Sequence, residues 1–151
     1  MRKIALVLFW ILLACGCASG QHRASTQAAG GQDKVGQFLS TYVEAFNLRD
    51  FESLMAHYSS EAVIHVLQDG EGYVLDREGL AAALEMKRST WERDDTKIVG
   101  RKISRKRETD KGTEVAVVFS VQTRTWSGSY PVDFVLQPAG GGLVIVKENG
   151  S

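Results

Sequence analysis

Along the chain the spacing of apolar positions changes several times, and each change marks an element. Residues 4–14 form an unbroken apolar run behind Arg2 and Lys3, whereas 19–33 are small and polar without periodicity. Val35, Phe38, Leu39, Tyr42, Val43 and Phe46 then recur at i, i+3, i+4, i+7, i+8 and i+11, which lays one apolar stripe along a helix. Asn47 and Arg49 close that helix. Asp50 is placed to cap a second, short helix carrying Phe51, Leu54, Met55 and Tyr58. Residues 62–68 read as a strand and Asp69-Gly70-Glu71-Gly72 as the turn after it. Asp76 can cap a third helix whose apolar face is Leu80, Ala83, Leu84, the Lys87 stem and Trp91.

Past Trp91 the period falls to two. Residues 97–107 predict a weakly patterned, very basic strand, which Thr109-Asp110-Lys111-Gly112 turns into 113–126. There Val115, Val117, Phe119 and Val121 share one face by alternation. After Ser127-Gly128, Tyr130, Val132, Phe134 and Leu136 alternate again, and Gly140-Gly141-Gly142 turns into a last strand over 143–147. Three helices followed by a three- or four-stranded antiparallel meander is an α+β arrangement, with the helices covering the apolar face of a curved sheet. No internal repeat interrupts it.

The amino-terminal run sets the address. At about 1.5 Å per residue, 4–14 falls short of a bilayer, which takes roughly 20 apolar residues. It has the length of the apolar core of a secretion signal. Leu12-Leu13-Ala14-Cys15 resembles the lipobox of bacterial lipoproteins, in which the cysteine thiol receives a diacylglycerol and the signal is cut away before it. The overlapping alternative lipidates Cys17, and a third reading is a plain signal cut after Ala18. Neither cysteine is followed by aspartate at its second position, which in such lipoproteins favours the outer membrane. The expected organisation is therefore a signal over 1–14, a lipidated tether over 15–33 and one domain over 34–151. Partners would include a membrane, held through acyl chains each worth about 0.8 kcal/mol per buried CH₂.

Composition narrows the chemistry. Both cysteines lie at the signal junction, so the domain holds no disulfide framework, no thiolate zinc site and no cysteine nucleophile. The 18 Lys and Arg balance 18 Asp and Glu, and losing Arg2 and Lys3 leaves the remainder slightly acidic. Nothing global points to nucleic acid. Locally, Lys97, Arg101, Lys102, Arg105, Arg107, Lys106 and Lys111 set seven cations in fifteen residues. Such charges discourage edge pairing, and they also suit anionic headgroups. His57 follows the short helix and is expected to be exposed; His65 is out of phase with Ile64 and Val66 and is expected to face away from them. The two histidines lack a nearby carboxylate pattern, so neither a metal nor another cofactor is expected.

The stretch from Tyr42-Val43-Glu44-Ala45-Phe46 through Asp50-Phe51-Glu52-Ser53-Leu54-Met55 to Glu61-Ala62-Val63 resembles the opening of the nuclear transport factor 2-like superfamily. That group includes ketosteroid isomerase and the SnoaL-like cyclases. The resemblance implies a cone, with helices on the concave side of a bent sheet and a pocket near the open end. Tyr42, Val66, Trp91, Phe119 and Phe134 are the pocket residues it suggests, for an apolar small molecule, and a homodimer through the sheet is common in the group. Tyr42 falls where the isomerase places an oxyanion-binding tyrosine. The isomerase's general base falls on Val66, which cannot accept a proton. Its second oxyanion donor aligns with Asp133, but the alternation of Tyr130, Val132 and Phe134 turns Asp133 outward. With Tyr42, His65 and Asp133 as weak catalytic candidates, the expectation is a non-enzymatic binding or interaction domain. The alternative is an isomerase, dehydratase or cyclase acting on a hydrophobic molecule. An ionisable side chain inside the cone beside Tyr42 would favour that alternative.

Overall fold

A computed structural model describes residues 33–68 and 71–150. The apolar run, the tether and both cysteines lie outside the described residues. Helix α1 (Lys34–Leu48) buries Val35, Phe38, Leu39 and Tyr42 of the expected stripe together with Ala45, which the spacing leaves out, while Val43 and Phe46 are half-buried against the core. It ends at Arg49, a non-glycine residue in the left-handed region (φ 59°). That backbone is unfavourable for a residue bearing a Cβ, and the Arg49 side chain fastens the corner. Its Nη1 donates to the Phe46 carbonyl at 2.7 Å and its Nη2 donates to the carbonyls of Trp91 and Thr96. Arg88 completes the corner, with Nη1 donating to the Arg49 carbonyl and its guanidinium 4.4 Å above the Phe51 ring.

Asp50 caps α2 (Phe51–Met55) by accepting from the Ser53 amide, and Asp76 caps α3 (Arg77–Arg93) by accepting from the Gly79 amide. Helix α2 stops at Met55, earlier than its apolar spacing suggests. Tyr58 belongs instead to the first strand, β1 (Tyr58–Gln68). A short strand, β2 (Glu71–Leu75), pairs back on β1; the sequence pattern predicts only its turn. The remaining strands are β3 (Lys97–Thr109), β4 (Gly112–Gln122), β5 (Ser127–Ala139) and β6 (Gly142–Gly150).

The six strands form one sheet in the order β2-β1-β6-β5-β4-β3. The expected meander of three or four strands accounts for β3 to β6. β6 then pairs in parallel with β1, joining the two ends of the domain. Helix α1 packs against β3 and β6, and α3 against β1. Their shared core is the inward face of β4 and β5, where Thr113, Val115, Val117, Phe119, Val132, Phe134 and Leu136 are buried. At the outer edge the Asn47 side chain acts as a surrogate strand. Its Nδ2 donates to the Ile98 carbonyl at 2.9 Å and its Oδ1 accepts from the Ile98 amide at 2.8 Å. Asn47, in the last turn of α1, thus closes the first part of the β3 edge.

Candidate functional site

Strict alternation along β6 from Ile145, which is fully buried, would turn Lys147 inward and Glu148 out. The pairing with β5 departs from that. Leu136 faces Ile145 but Val135 faces Lys147, so β6 advances two residues while β5 advances one. The extra residue is a bulge at Val146, and a bulge reverses the inward phase of the residues beyond it. Glu148 therefore sits opposite Phe134 on one side and Ile64 on the other, both core residues, and is itself only 7% exposed.

Two phenols meet it there. Tyr58 Oη donates to Glu148 Oε2 at 2.6 Å, the short distance of a bond to an acidic oxygen. Tyr42 Oη lies 3.2 Å from Tyr58 Oη. Because the Tyr58 proton is committed to Glu148, Tyr42 is the donor of that second bond. The result is a buried chain Tyr42–Tyr58–Glu148 that runs from α1 through β1 to β6. Burial pushes the Glu148 carboxyl up from 4.5 to about 7, with the Tyr58 bond pulling the other way. Burial, reinforced by the Glu148 charge, holds Tyr42 and Tyr58 well above the usual phenol range, and pushes Tyr130 up to about 12.

The Tyr42 ring is packed on several sides. Phe119 stacks at 6.0 Å, and Phe134 and His57 meet it edge-on at 5.7 Å each. His57, expected to be exposed, is half-buried. Its Nδ1 bonds the Ser53 carbonyl and its Nε2 the Thr41 hydroxyl, both at 2.9 Å, so the ring is fixed against Phe38 and Tyr42. Of the suggested pocket residues, Tyr42, Phe119 and Phe134 form one aromatic cluster. Trp91 is elsewhere, packed against Phe46 and Phe51 at 5.1 and 6.1 Å. Val66 is half-buried, one inward position beyond Ile64. His65 pairs with Val74 and Asn149 on the opposite phase of β1 from Ile64. Asp133 faces out, 3.4 Å from Arg105, as the alternation of β5 requires. Among the described residues no three metal-ligating side chains cluster together.

Burial declines in one direction from Glu148. Towards Val66 on β1, Val121 on β4 and Tyr130 on β5 the inward residues become half-buried, and Leu80, Ala81 and Trp91 of α3 are half-buried as well. At this end the inward face of the sheet is less covered than around Glu148. Tyr130 leans across it, its hydroxyl occupying the space a side chain on Gly150 would need. A separate hollow of about 370 Å³, lined by Ser59, Glu61, Gln137 and Val146 among others, lies where β1 and β6 lose register, away from the phenols.

The sequence of elements and the shape of the sheet match solved structures. A nuclear transport factor 2-like protein of unknown function from Shewanella baltica superposes with a TM-score of 0.58 at 15% identity, covering 78% of this chain and 90% of that one. A domain with a cystatin-like fold from Nostoc punctiforme gives 0.63 at 18% identity, over 78% and 74% of the two chains. ActVI-ORFA from Streptomyces coelicolor gives 0.56 at 16%, over 78% and 91%. The domain has the nuclear transport factor 2-like fold. No protein-family model matches the sequence, and no curated protein matches it. At these identities the nuclear transport factor 2-like likeness is one of architecture, and this fold hosts unrelated activities. The chemistry particular to this chain lies in Glu148 and its neighbours.

Glu148 escapes sequence reasoning because the apolar pattern of the last strand ends at Lys147 and no local signal marks the bulge. Tyr58 escapes it because its spacing from Leu54 and Met55 also fits a helix.

Proposed function

We propose that the chain is a lipid-anchored protein of the cell envelope, carried to the outer membrane, whose domain binds an apolar small molecule bearing one oxygen function. The anchor is supported by Ala14-Cys15 behind a short apolar run. The binding role is supported by one observation above all, a carboxyl sunk among core side chains and joined to two buried phenols. A buried acid costs several kcal/mol that a leucine at the same place would not. Such a departure from core chemistry is characteristic of functional sites. A ligand entering at this less covered end would lay its apolar body on Val66, Leu80 and Val121, with its oxygen towards the buried phenols. The test is fluorescence titration with 2-naphthol, a small aromatic with one hydroxyl. The protein should bind it, and Val121→Arg, which sets a charge on the apolar wall, should weaken binding at least about tenfold. No binding by the unaltered protein refutes the pocket.

A second reading, proton transfer on a hydrophobic carbonyl compound, is favoured by Glu148 itself. The strand position of the isomerase base is Val66, yet Glu148 supplies a carboxyl beside Tyr42 from a different strand, one hydroxyl removed. A carboxyl near 7 takes up and releases protons at neutral pH. The measurement is exchange of the α-protons of 2-cyclohexenone in D₂O. Acceleration that is lost in Glu148→Gln supports an enzyme; no acceleration leaves the binding role alone.

A further inference from the structure

The chain enters its domain beside a run of cations. Asp33, immediately before α1, lies 3.5 Å from Lys106 Nζ, and Arg101 Nη2 donates to Ser40 Oγ at 2.6 Å and to the Gly36 carbonyl. The segment that leads back to Cys15 therefore leaves from the flank of β3. That strand is an edge of the sheet, paired only with β4, and residues 101–108 are exposed along their whole length. Asn47 covers the edge only at Ile98.

The register assigns the cations to both faces. Arg101 and Lys106 stand opposite the inward residues Phe119 and Val115; Lys102, Arg105 and Arg107 stand opposite Val118, Ala116 and Glu114. Asp33, Glu114 and Asp133 approach three of them, but these pairs are solvent-exposed, where ion pairs are weak and yield to competing anions. The domain as a whole has little net charge, so any attraction is local to this edge.

We propose that the exposed β3 edge docks on anionic phospholipid headgroups of the membrane that carries the anchor. This rests on the lipid-anchored reading above. Asp33 lies 18 residues beyond Cys15 in the sequence, a stretch that can reach at most about 65 Å. The described chain begins beside β3, so an anchor on Cys15 keeps this edge near the headgroups, at an effective concentration in the millimolar range. A weak attraction then suffices, and juxtamembrane cations supply it one headgroup at a time.

The experiment uses the full-length lipoprotein purified in detergent and reconstituted into vesicles of phosphatidylcholine, alone or with a quarter phosphatidylglycerol. Amide hydrogen exchange over 100–108 should slow several-fold in the phosphatidylglycerol vesicles. The difference should vanish at roughly 1 M salt, where the screening length is about 3 Å. Lys102→Glu, and separately Arg105→Glu with Arg107→Glu, should remain attached to the vesicles and lose the protection. Arg105→Lys with Arg107→Lys should keep it, which separates charge from any disturbance of the strand. Equal exchange in the two vesicle types, with the protein attached, overturns the docking and leaves the anchor standing. Failure to attach to phosphatidylcholine vesicles, with no acyl mass on the amino terminus, overturns the anchor instead. Docking is then decided by sedimentation with phosphatidylglycerol vesicles. Salt-sensitive capture, reduced about fivefold for each cation removed, supports it, and no capture ends it.

Discussion

The unfolding free energy of the domain should fall by about 3 kcal/mol as pH rises from near 4.5 to above 7, and Glu148→Gln should abolish that fall. The carboxyl titrates near 4.5 when unfolded and near 7 when folded. Below the lower value both states hold the proton and the group is neutral to stability. Between the two values the folded state binds more protons than the unfolded one, so stability declines with rising pH. Above the upper value both states are ionised and the whole cost of burying the anion is present, roughly 3 kcal/mol for this interval. The surface carboxylates Asp50, Glu85, Asp94 and Asp95 act in the opposite sense. Hydrogen bonds from Ser53, Arg88, Arg93 and Lys97 hold them below their ordinary values, so their contribution is lost as pH falls through the acid range. Maximum stability is accordingly expected at mildly acid pH rather than at neutrality. Urea denaturation at a series of pH values measures this directly. An unchanged slope in Glu148→Gln would mean that another group carries it.

The legibility of each element in the sequence depends on the range of the forces that form it. The stripe of α1 from Val35 to Tyr42, the caps Asp50 and Asp76 and the alternation of β4 and β5 are local patterns, and they reappear in the structure. The alternation also places Asp133 on the outer face, despite its alignment with the isomerase's second oxyanion donor, because a one-residue slip would bury a charge and expose the core face of β5. The parallel pairing of β1 with β6 has no local signature; it joins segments about eighty residues apart in sequence. β2 escapes for a different reason: Tyr73 and Val74 are exposed, so no one-sided apolar pattern marks it. The acidic half of the candidate site is hidden in both ways. Tyr58 is brought to Glu148 by the long-range pairing, and Glu148 is turned inward by a bulge whose only trace is the register of its neighbour strand. Tyr42, by contrast, is legible from its place in the α1 stripe, although its partners are not.

Phe134→Ala should cost about 3–5 kcal/mol, the usual loss on removing a buried aromatic ring. Phe134 is 1% exposed, lies directly across from Glu148 and meets the rings of Tyr42 and Phe119 at 5.7 and 6.4 Å. The vacated space would be bounded by apolar walls but would also touch the carboxyl, and a cavity with polar partners admits water where a purely apolar one stays dry. Hydration would relieve the burial that raises the Glu148 carboxyl, so its titration should move back towards the ordinary range. The substitution should therefore reduce stability at every pH and flatten the decline between 4.5 and 7 as well. Leu136→Ala is the comparison. Leu136 is equally deep on the same strand but faces Ile145 rather than Glu148. It should cost about 2–5 kcal/mol and leave the pH dependence intact. Urea denaturation of both variants at acid and neutral pH separates the two effects. If both variants retain the full pH slope, water has not reached the carboxyl, or the apolar wall opposite Glu148 is not what raises it. If Phe134→Ala alone loses the slope, the ring is the element that keeps the acid dry, and with it the chemistry available to Tyr42 and Tyr58.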